Sequence, residues 1–139
     1  MDNKTLIAAA AEAREKAYVP YSRFKVGAAL LTHDGRVFPG CNVENGAYPL
    51  CNCAERTAMF SAIAAGYRPG DFAKLAVIGD TEGPISPCGG CRQVMAELGT
   101  ATLEVVLSNL HGDVQVTNPS ELLPGAFFLD QRQDKGGSQ

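Results

Sequence analysis

The order in which helical and extended patterns alternate leaves this chain few folds. Residues 3–17 carry apolar side chains three or four apart, at Leu6, Ile7, Ala10, Ala13 and Ala17, as in an amphipathic helix. Tyr18-Val19-Pro20 ends it, because proline disfavours helix at the residue before it. Phe24 to Leu31 alternates as a strand, with Phe24, Val26, Ala28 and Leu30 on one face. Asp34-Gly35 signals a hairpin, so Arg36 to Glu44 is expected to return antiparallel. Pro39 within that return implies an edge position or a bulge. A loop from Asn45 to Asn52 leads to a second helix over Ala54–Ala65, closed by Gly66. Leu75 to Gly79 reads as a short buried strand and Thr81 to Pro87 as a turn-rich loop. A third helix is expected from about Gly89 to Leu98, then a strand from Leu103 to Ser108. A turn at His111-Gly112-Asp113 precedes a last strand, Val114 to Thr117, and Pro119 to Leu122 reads as one helical turn. The polar tail from about residue 130 is expected to fray. The order α-β-β-α-β-α-β-β contains two strand-helix-strand stretches, which need helices packed on a partly parallel sheet. The expected fold class is α/β: one three-layer α/β/α domain over residues 1–139 with a mixed sheet of about five strands.

The length of 139 residues fits a single domain with one sizeable core. An apolar fraction of 45% against 19% charged excludes a disordered chain. Twelve Lys and Arg against fifteen Asp and Glu give a net charge of -3, which provides no basic footprint for nucleic acid or an anionic membrane. The N-terminal residues mix charges with apolar side chains, unlike a signal-peptide core. No apolar run approaches the roughly 20 residues of a membrane-spanning helix. A cytoplasmic protein without nucleic-acid or membrane partners is expected.

Five cysteines, at 41, 51, 53, 88 and 91, are an odd number for a closed disulfide framework. Cys88 and Cys91 lie three apart at the start of a predicted helix, so both sulfurs face one place. A helix N-terminus favours thiolates through its unpaired N–H groups. A redox pair fits that spacing as well. Cys53-Ala54-Glu55 begins the other helix, and both helices follow strands, so their N-termini can converge at one edge of the sheet. Three thiolates leave the fourth position of a zinc ion open, as in catalytic sites. Glu55 would then accept and relay a proton from water activated by the metal. Residues two apart on a regular helix do not face each other, so Cys53 and Glu55 share a site only if it lies off the helix end. Taken alone, Glu55 also fits as an acidic residue complementing the helix dipole. Arg56 suits the excess negative charge of three thiolates on Zn²⁺, or stands as an exposed helix arginine. Arg92 raises the same question. Cys41 and Cys51 read as bystanders, although a fourth ligand from Cys51 would make a closed, structural site. His33 and His111 sit in turns, where polar surface residues are ordinary. Asn42 and Glu44, two apart on a strand, point to one face. They suit the vicinal hydroxyls of a ribose, or a solvated edge strand.

These motifs resemble the zinc-dependent cytidine deaminases, specifically the small homotetrameric type. The resemblance runs from about Tyr18 to Phe127 and rests on Cys41-Asn42-Val43-Glu44-Asn45, Cys51-Asn52-Cys53-Ala54-Glu55-Arg56-Thr57-Ala58, Ser86-Pro87-Cys88-Gly89-Gly90-Cys91-Arg92-Gln93-Val94 and Leu122-Leu123-Pro124-Gly125-Ala126-Phe127. It implies one Zn²⁺ per chain, held by Cys53, Cys88 and Cys91 in the three-cysteine variant of the deaminase signature. By the same resemblance Glu55 shuttles protons from water to pyrimidine N3 and to the departing amine. The Ala54 N–H contacts the pyrimidine carbonyl and the Ser86 carbonyl the exocyclic amine. Arg56 bonds the sulfurs, Asn42 and Glu44 hold the sugar hydroxyls, and Phe24 packs on the nucleoside. Phe24 equally fits the core by its strand pattern. Phe127 is expected to reach a neighbouring subunit's site, so that a homotetramer completes it. The implied activity is conversion of cytidine and deoxycytidine to uridine and deoxyuridine with release of ammonia, as in pyrimidine salvage. Gly46 and Gly90 stand where relatives commonly have alanine, which should loosen the loop.

Three other readings compete. A blasticidin-type deaminase shares the cysteine and glutamate core but is disfavoured by Asn42, Glu44 and the segment Leu122–Phe127. A polynucleotide-editing deaminase is disfavoured by the charge, the short chain and the cysteine at position 53. A structural-zinc interaction module would be indifferent to loss of Glu55.

Overall fold

The structure, a computed structural model, describes residues 1–129. The expected fraying from about residue 130 lies outside the described residues. Helix α1 (Asn3–Arg14) begins at Asp2, whose carboxylate accepts from the Thr5 N–H at 2.8 Å and so satisfies a donor that the first turn leaves open. It ends three residues before the expected Ala17. The Tyr18 N–H bonds the Asn42 carbonyl at 3.0 Å, and the Glu44 N–H bonds the Tyr18 carbonyl at 2.8 Å. These bonds pull the chain out of the helix and alongside Val43.

Strand β1 (Val26–Thr32) starts after Phe24, which corrects the expected start and places Phe24 off the strand face. Arg23 has a left-handed φ of 59°, and its N–H closes a turn on the Val19 carbonyl. A residue in that conformation interrupts an extended strand. Phe24 is 40% exposed in consequence and is not a core residue. The one-sided burial expected from alternation also fails, because every residue of β1 is buried. β1 lies between β2 (Val37–Cys41) and β3 (Phe72–Gly79), with α1 on one face and α2 (Ala54–Ala64) on the other. A strand covered on both faces loses its polar side.

The sheet has five strands in the order β2-β1-β3-β4-β5, with β4 at Glu104–Asn109 and β5 at Val114–Thr117. β3 and β4 are parallel and the other neighbours antiparallel. The sheet is mixed, as expected, and β2 with its Pro39 is an edge strand. The β3-to-β4 crossover carries α3 (Gly89–Val94), continued by a π-helical turn over Met95–Gly99 instead of one regular helix to Leu98. Helix α4 (Pro119–Leu122) follows β5, capped by Asn118. One apolar cluster joins Leu6 and Ala10 to Ala29, Leu31, Ala76, Ile78 and Val106. The other joins Val26, Ala28, Leu30, Val77 and Val105 to Ala58, Met59 and Met95. These clusters lie between the sheet and its two helical layers. Among the described residues no helix is long and apolar enough to cross a membrane.

Two glycines set how close the helices come. A Cβ at Gly40 would lie 2.3 Å from the Ala54 carbonyl and 2.6 Å from the Ala58 nitrogen of α2. At Gly27 it would lie 2.0 Å from the Ala10 carbonyl of α1. Both obstacles are backbone, which cannot rotate away. Gly40→Ala is therefore expected to destabilise the fold by about 1–3 kcal/mol, read as a lower urea midpoint. Gly83→Ala, where an added Cβ meets nothing within 4 Å, should stay within about 0.5 kcal/mol of the parent.

Candidate active site

Cys53 is the N-cap of α2 and Cys88 the N-cap of α3. Cys91 lies one turn into α3 and is fully buried, whereas Cys88 is exposed. The sulfurs of Cys53, Cys88 and Cys91 lie within 4.8 Å of one another, and those of Cys53 and Cys88 are 3.8 Å apart. A tetrahedral zinc with Zn–S bonds of about 2.3 Å needs sulfurs about 3.8 Å apart. The donor set and its spacing therefore fit Zn²⁺, with one coordination position left over. Cys51 stands apart from the cluster. Its sulfur is engaged with the Asn45 backbone, accepting from the N–H at 3.3 Å. Cys41 ends β2, half-buried, and burial pushes its thiol pKa up.

Cys53 has extended backbone angles, φ -75° and ψ 157°, so it stands off the helix that begins at Ala54. This removes the geometric objection to a site shared with Glu55. Glu55 is 4% exposed. Burial raises its carboxyl pKa and the nearby Cys53 charge adds to that, while hydrogen bonds from its own backbone and from Cys91 pull the other way. Arg56 Nη2 donates to Cys53 Sγ at 3.1 Å, which makes Arg56 a sulfur partner and not a free surface arginine. Its buried Nε has no hydrogen-bond partner among the described residues. The Cys53 thiol is pushed down to about 5, first by the hydrogen bond with Cys91 and then, against the cost of burial, by Arg56. Cys91 moves up, because its proton is held in that hydrogen bond and burial disfavours its thiolate. The negative charge thus settles on the sulfur that faces the guanidinium.

The other predicted residues fall into two groups. Asn42 and Glu44 lie past the end of β2, not on it, yet both turn to residues 21–26. Asn42 accepts from the Val26 N–H at 2.9 Å and donates to the Phe24 carbonyl at 2.8 Å. Glu44 accepts from the Tyr21 and Ser22 N–H groups, each at 3.1 Å, and from the Ser22 hydroxyl. Those bonds hold its carboxyl pKa below the usual range, the Ser22 side chain most strongly. Val43 between them pairs with Asn52, next to Cys53. The Phe24 ring lies over the end of β3, within 3.5 Å of where a Cβ on Gly79 would stand. Ala54 is buried at the first position of α2, where helix N–H groups lack carbonyl partners.

Ser86 is exposed in the loop before Cys88, and its hydroxyl accepts from Arg92 Nη2 at 2.8 Å. Arg92 does not reach a sulfur. Its other nitrogens donate to the Pro87 and Leu122 carbonyls, both at 2.8 Å. Phe127 is 65% exposed, and its backbone is bonded by the Gln93 side chain. Sequence reasoning missed this role of Arg92, Gln93 altogether, and Asn109. The buried Asn109 side chain donates to the Thr81, Glu82 and Gly83 carbonyls and so fixes the loop that leads to Cys88. The polar Asn109 at the end of an apolar strand was the available signal. His33 and His111 are exposed, the latter 3.4 Å from Asp80.

Three thiols whose spacing fits Zn²⁺ with a fourth position to spare, and a buried carboxylate, set at the starts of two helices on an α/β/α sheet, match the make-up of a zinc-dependent hydrolase. A family model described as "Cytidine and deoxycytidylate deaminase zinc-binding region" matches residues 1–107, and the chain belongs to that family. It is 58% identical over 127 residues to a cytidine deaminase of Sporosarcina psychrophila, covering 91% of this chain and 92% of that one. It is 57% identical over 134 residues to a cytidine deaminase of Halalkalibacterium halodurans, covering 96% and 100%. The crystal structure of cytidine deaminase from Burkholderia pseudomallei superposes with a TM-score of 0.91 at 70% identity, covering 91% of this chain and 100% of that one.

Zinc content tests the cluster directly. Cys53→Ser, Cys88→Ser and Cys91→Ser should each drop bound zinc from about one per chain to well below one, as weakening of a thiolate donor set predicts. Cys51→Ser should leave it unchanged, measured by elemental analysis of the purified proteins.

Proposed function

We propose that this protein is a cytidine deaminase, hydrolysing cytidine and deoxycytidine to uridine and deoxyuridine with release of ammonia. The observation that carries this is the buried Glu55 carboxylate beside the three converging sulfurs. Cys53, Cys88 and Cys91 would hold a zinc ion, which when bound would supply Lewis acidity and bring the pKa of water at the site towards about 7. Glu55 accepts the proton of the attacking water at its carboxylate. It delivers that proton to pyrimidine N3, then takes the proton of the hydroxyl added at C4 and passes it to the amine nitrogen, which leaves as ammonia while the C4 carbonyl forms. Burial favours this role, because a carboxyl with a raised pKa can both take and return a proton near neutral pH. Arg56 offsets the excess charge of the sulfurs through its bond to Cys53.

The remaining residues bind and orient the nucleoside. The Ala54 N–H donates to the pyrimidine carbonyl and the Ser86 carbonyl accepts from the exocyclic amine. Asn42 and Glu44 take the sugar hydroxyls. Asn42 makes one bond through each end of its amide, and Glu44 accepts three. An amide can donate two and accept two bonds, and a carboxylate accepts about four, so both retain capacity for a ligand. Phe24, exposed over the end of β3, packs on the nucleoside. Phe127, exposed and held through its backbone by Gln93 of α3, completes the site of a neighbouring subunit in a homotetramer. Residues 1–139 act as one domain, in the cytoplasm, in the salvage of pyrimidine nucleosides.

The test is turnover of cytidine and deoxycytidine with zinc quantified in the same samples. Glu55→Gln keeps the side chain's shape and should retain zinc while losing roughly 10²–10⁴-fold in kcat, the usual contribution of a general acid–base group. Turnover equal to the parent would sink the mechanism.

A further inference from the structure

The residues directly after Cys91 grip the C-terminal segment. Gln93 Nε2 donates to the Phe127 carbonyl at 2.7 Å, and the Phe127 N–H reaches Gln93 Oε1 at 3.4 Å. An amide side chain paired to both backbone groups of one residue fixes its position and its rotation. Arg92 holds the root of the same segment through the Leu122 carbonyl, and holds the loop before Cys88 through the Pro87 carbonyl and the Ser86 hydroxyl, all at 2.8 Å. Three guanidinium nitrogens thus serve three acceptors on two segments, which a lysine could not do. Between root and tip lie Leu123-Pro124-Gly125-Ala126, with Gly125 at a left-handed φ of 70°. The segment ends in apolar side chains turned to solvent, Phe127 at 65% and Leu129 at 89% exposed. An exposed phenylalanine on a pinned backbone is aimed without being packed.

We propose that Gln93 is a positioning residue for the deamination: it sets the Phe127 ring at the substrate site, with Arg92 fixing the segment's root. This rests on the reading of Phe127 as a substrate-contacting aromatic. Because Gln93 acts only through Phe127, its effect falls on substrate binding and disappears when the ring is gone. A residue that merely stabilised the fold would add its effect to that of any other substitution.

The experiment is a double-mutant cycle on the zinc-loaded protein with cytidine as substrate. Gln93→Ala is expected to raise KM by roughly five- to tenfold, the scale of one lost aromatic contact, more than it lowers kcat. Phe127→Ala, which keeps the backbone acceptor and donor, should raise KM at least as much. The double variant should match Phe127→Ala alone. A Gln93→Ala protein with unchanged KM, or effects that multiply in the double variant, would overturn the inference. An unchanged KM in Phe127→Ala would also overturn it while leaving the deaminase reading intact. Absence of any cytidine turnover by the zinc-loaded parent would instead overturn the deaminase reading itself. Urea midpoints measured alongside keep a folding defect from being read as a binding one.

Discussion

The seat of α2 on the edge strand β2 is the constraint on which the site depends. Gly40 lets the Ala54 carbonyl and the Ala58 nitrogen come within reach of the strand backbone, closer than any side chain would allow. That approach holds the start of α2, and with it Cys53, where the β3-to-β4 crossover brings Cys88 and Cys91 to it. The sulfur cluster needs sub-ångström placement from the starts of two helices, at cysteines 35 residues apart in sequence. Rigid backbone contact supplies such placement better than side-chain packing, which can relax around a defect.

Charge then arranges the cluster. Three thiolates on a divalent ion would carry a net charge of -1, and the fold places one guanidinium against the Cys53 sulfur. Glu55 brings a carboxylate into the same neighbourhood but under burial, so its protonated form is favoured by the surroundings and by the Cys53 charge. Two acids of opposite tendency, a thiol pushed down and a carboxyl pushed up, stand two residues apart. The extended cap residue makes this possible, since a regular helix would have turned them to different faces.

The sequence made the architecture legible where it imposes local periodicity. The five strands, the edge position of Pro39 and the helix starts at Ala54 and Gly89 all follow from patterns within a dozen residues. Phe24 was misplaced because alternation continues through it, whereas the left-handed Arg23 and the bonds from Asn42 break the strand there. β1 is buried on both faces because a helical layer lies on each, and Gly27, Ala29 and Leu31 give its second face no polar side chain that needs water. The wide turn after Val94 has no sequence mark that separates it from a regular helix.

What the sequence determined by itself is the chemistry of the site: two cysteines one helical turn apart, and a third cysteine two residues before a glutamate. Covalent spacing keeps each pair close along the chain, and the helix starts at Ala54 and Gly89 turn that closeness into a shared site. What only the tertiary structure decided are the contacts that close across long stretches of chain. Asn42 and Glu44 lie 16 to 23 residues from the backbone groups they hold, and Gln93 lies 34 from Phe127. Such contacts depend on loop closure over the whole sheet, which no local pattern encodes. For that reason Arg92, read from sequence as a possible sulfur partner, became in the fold a clamp on two segments.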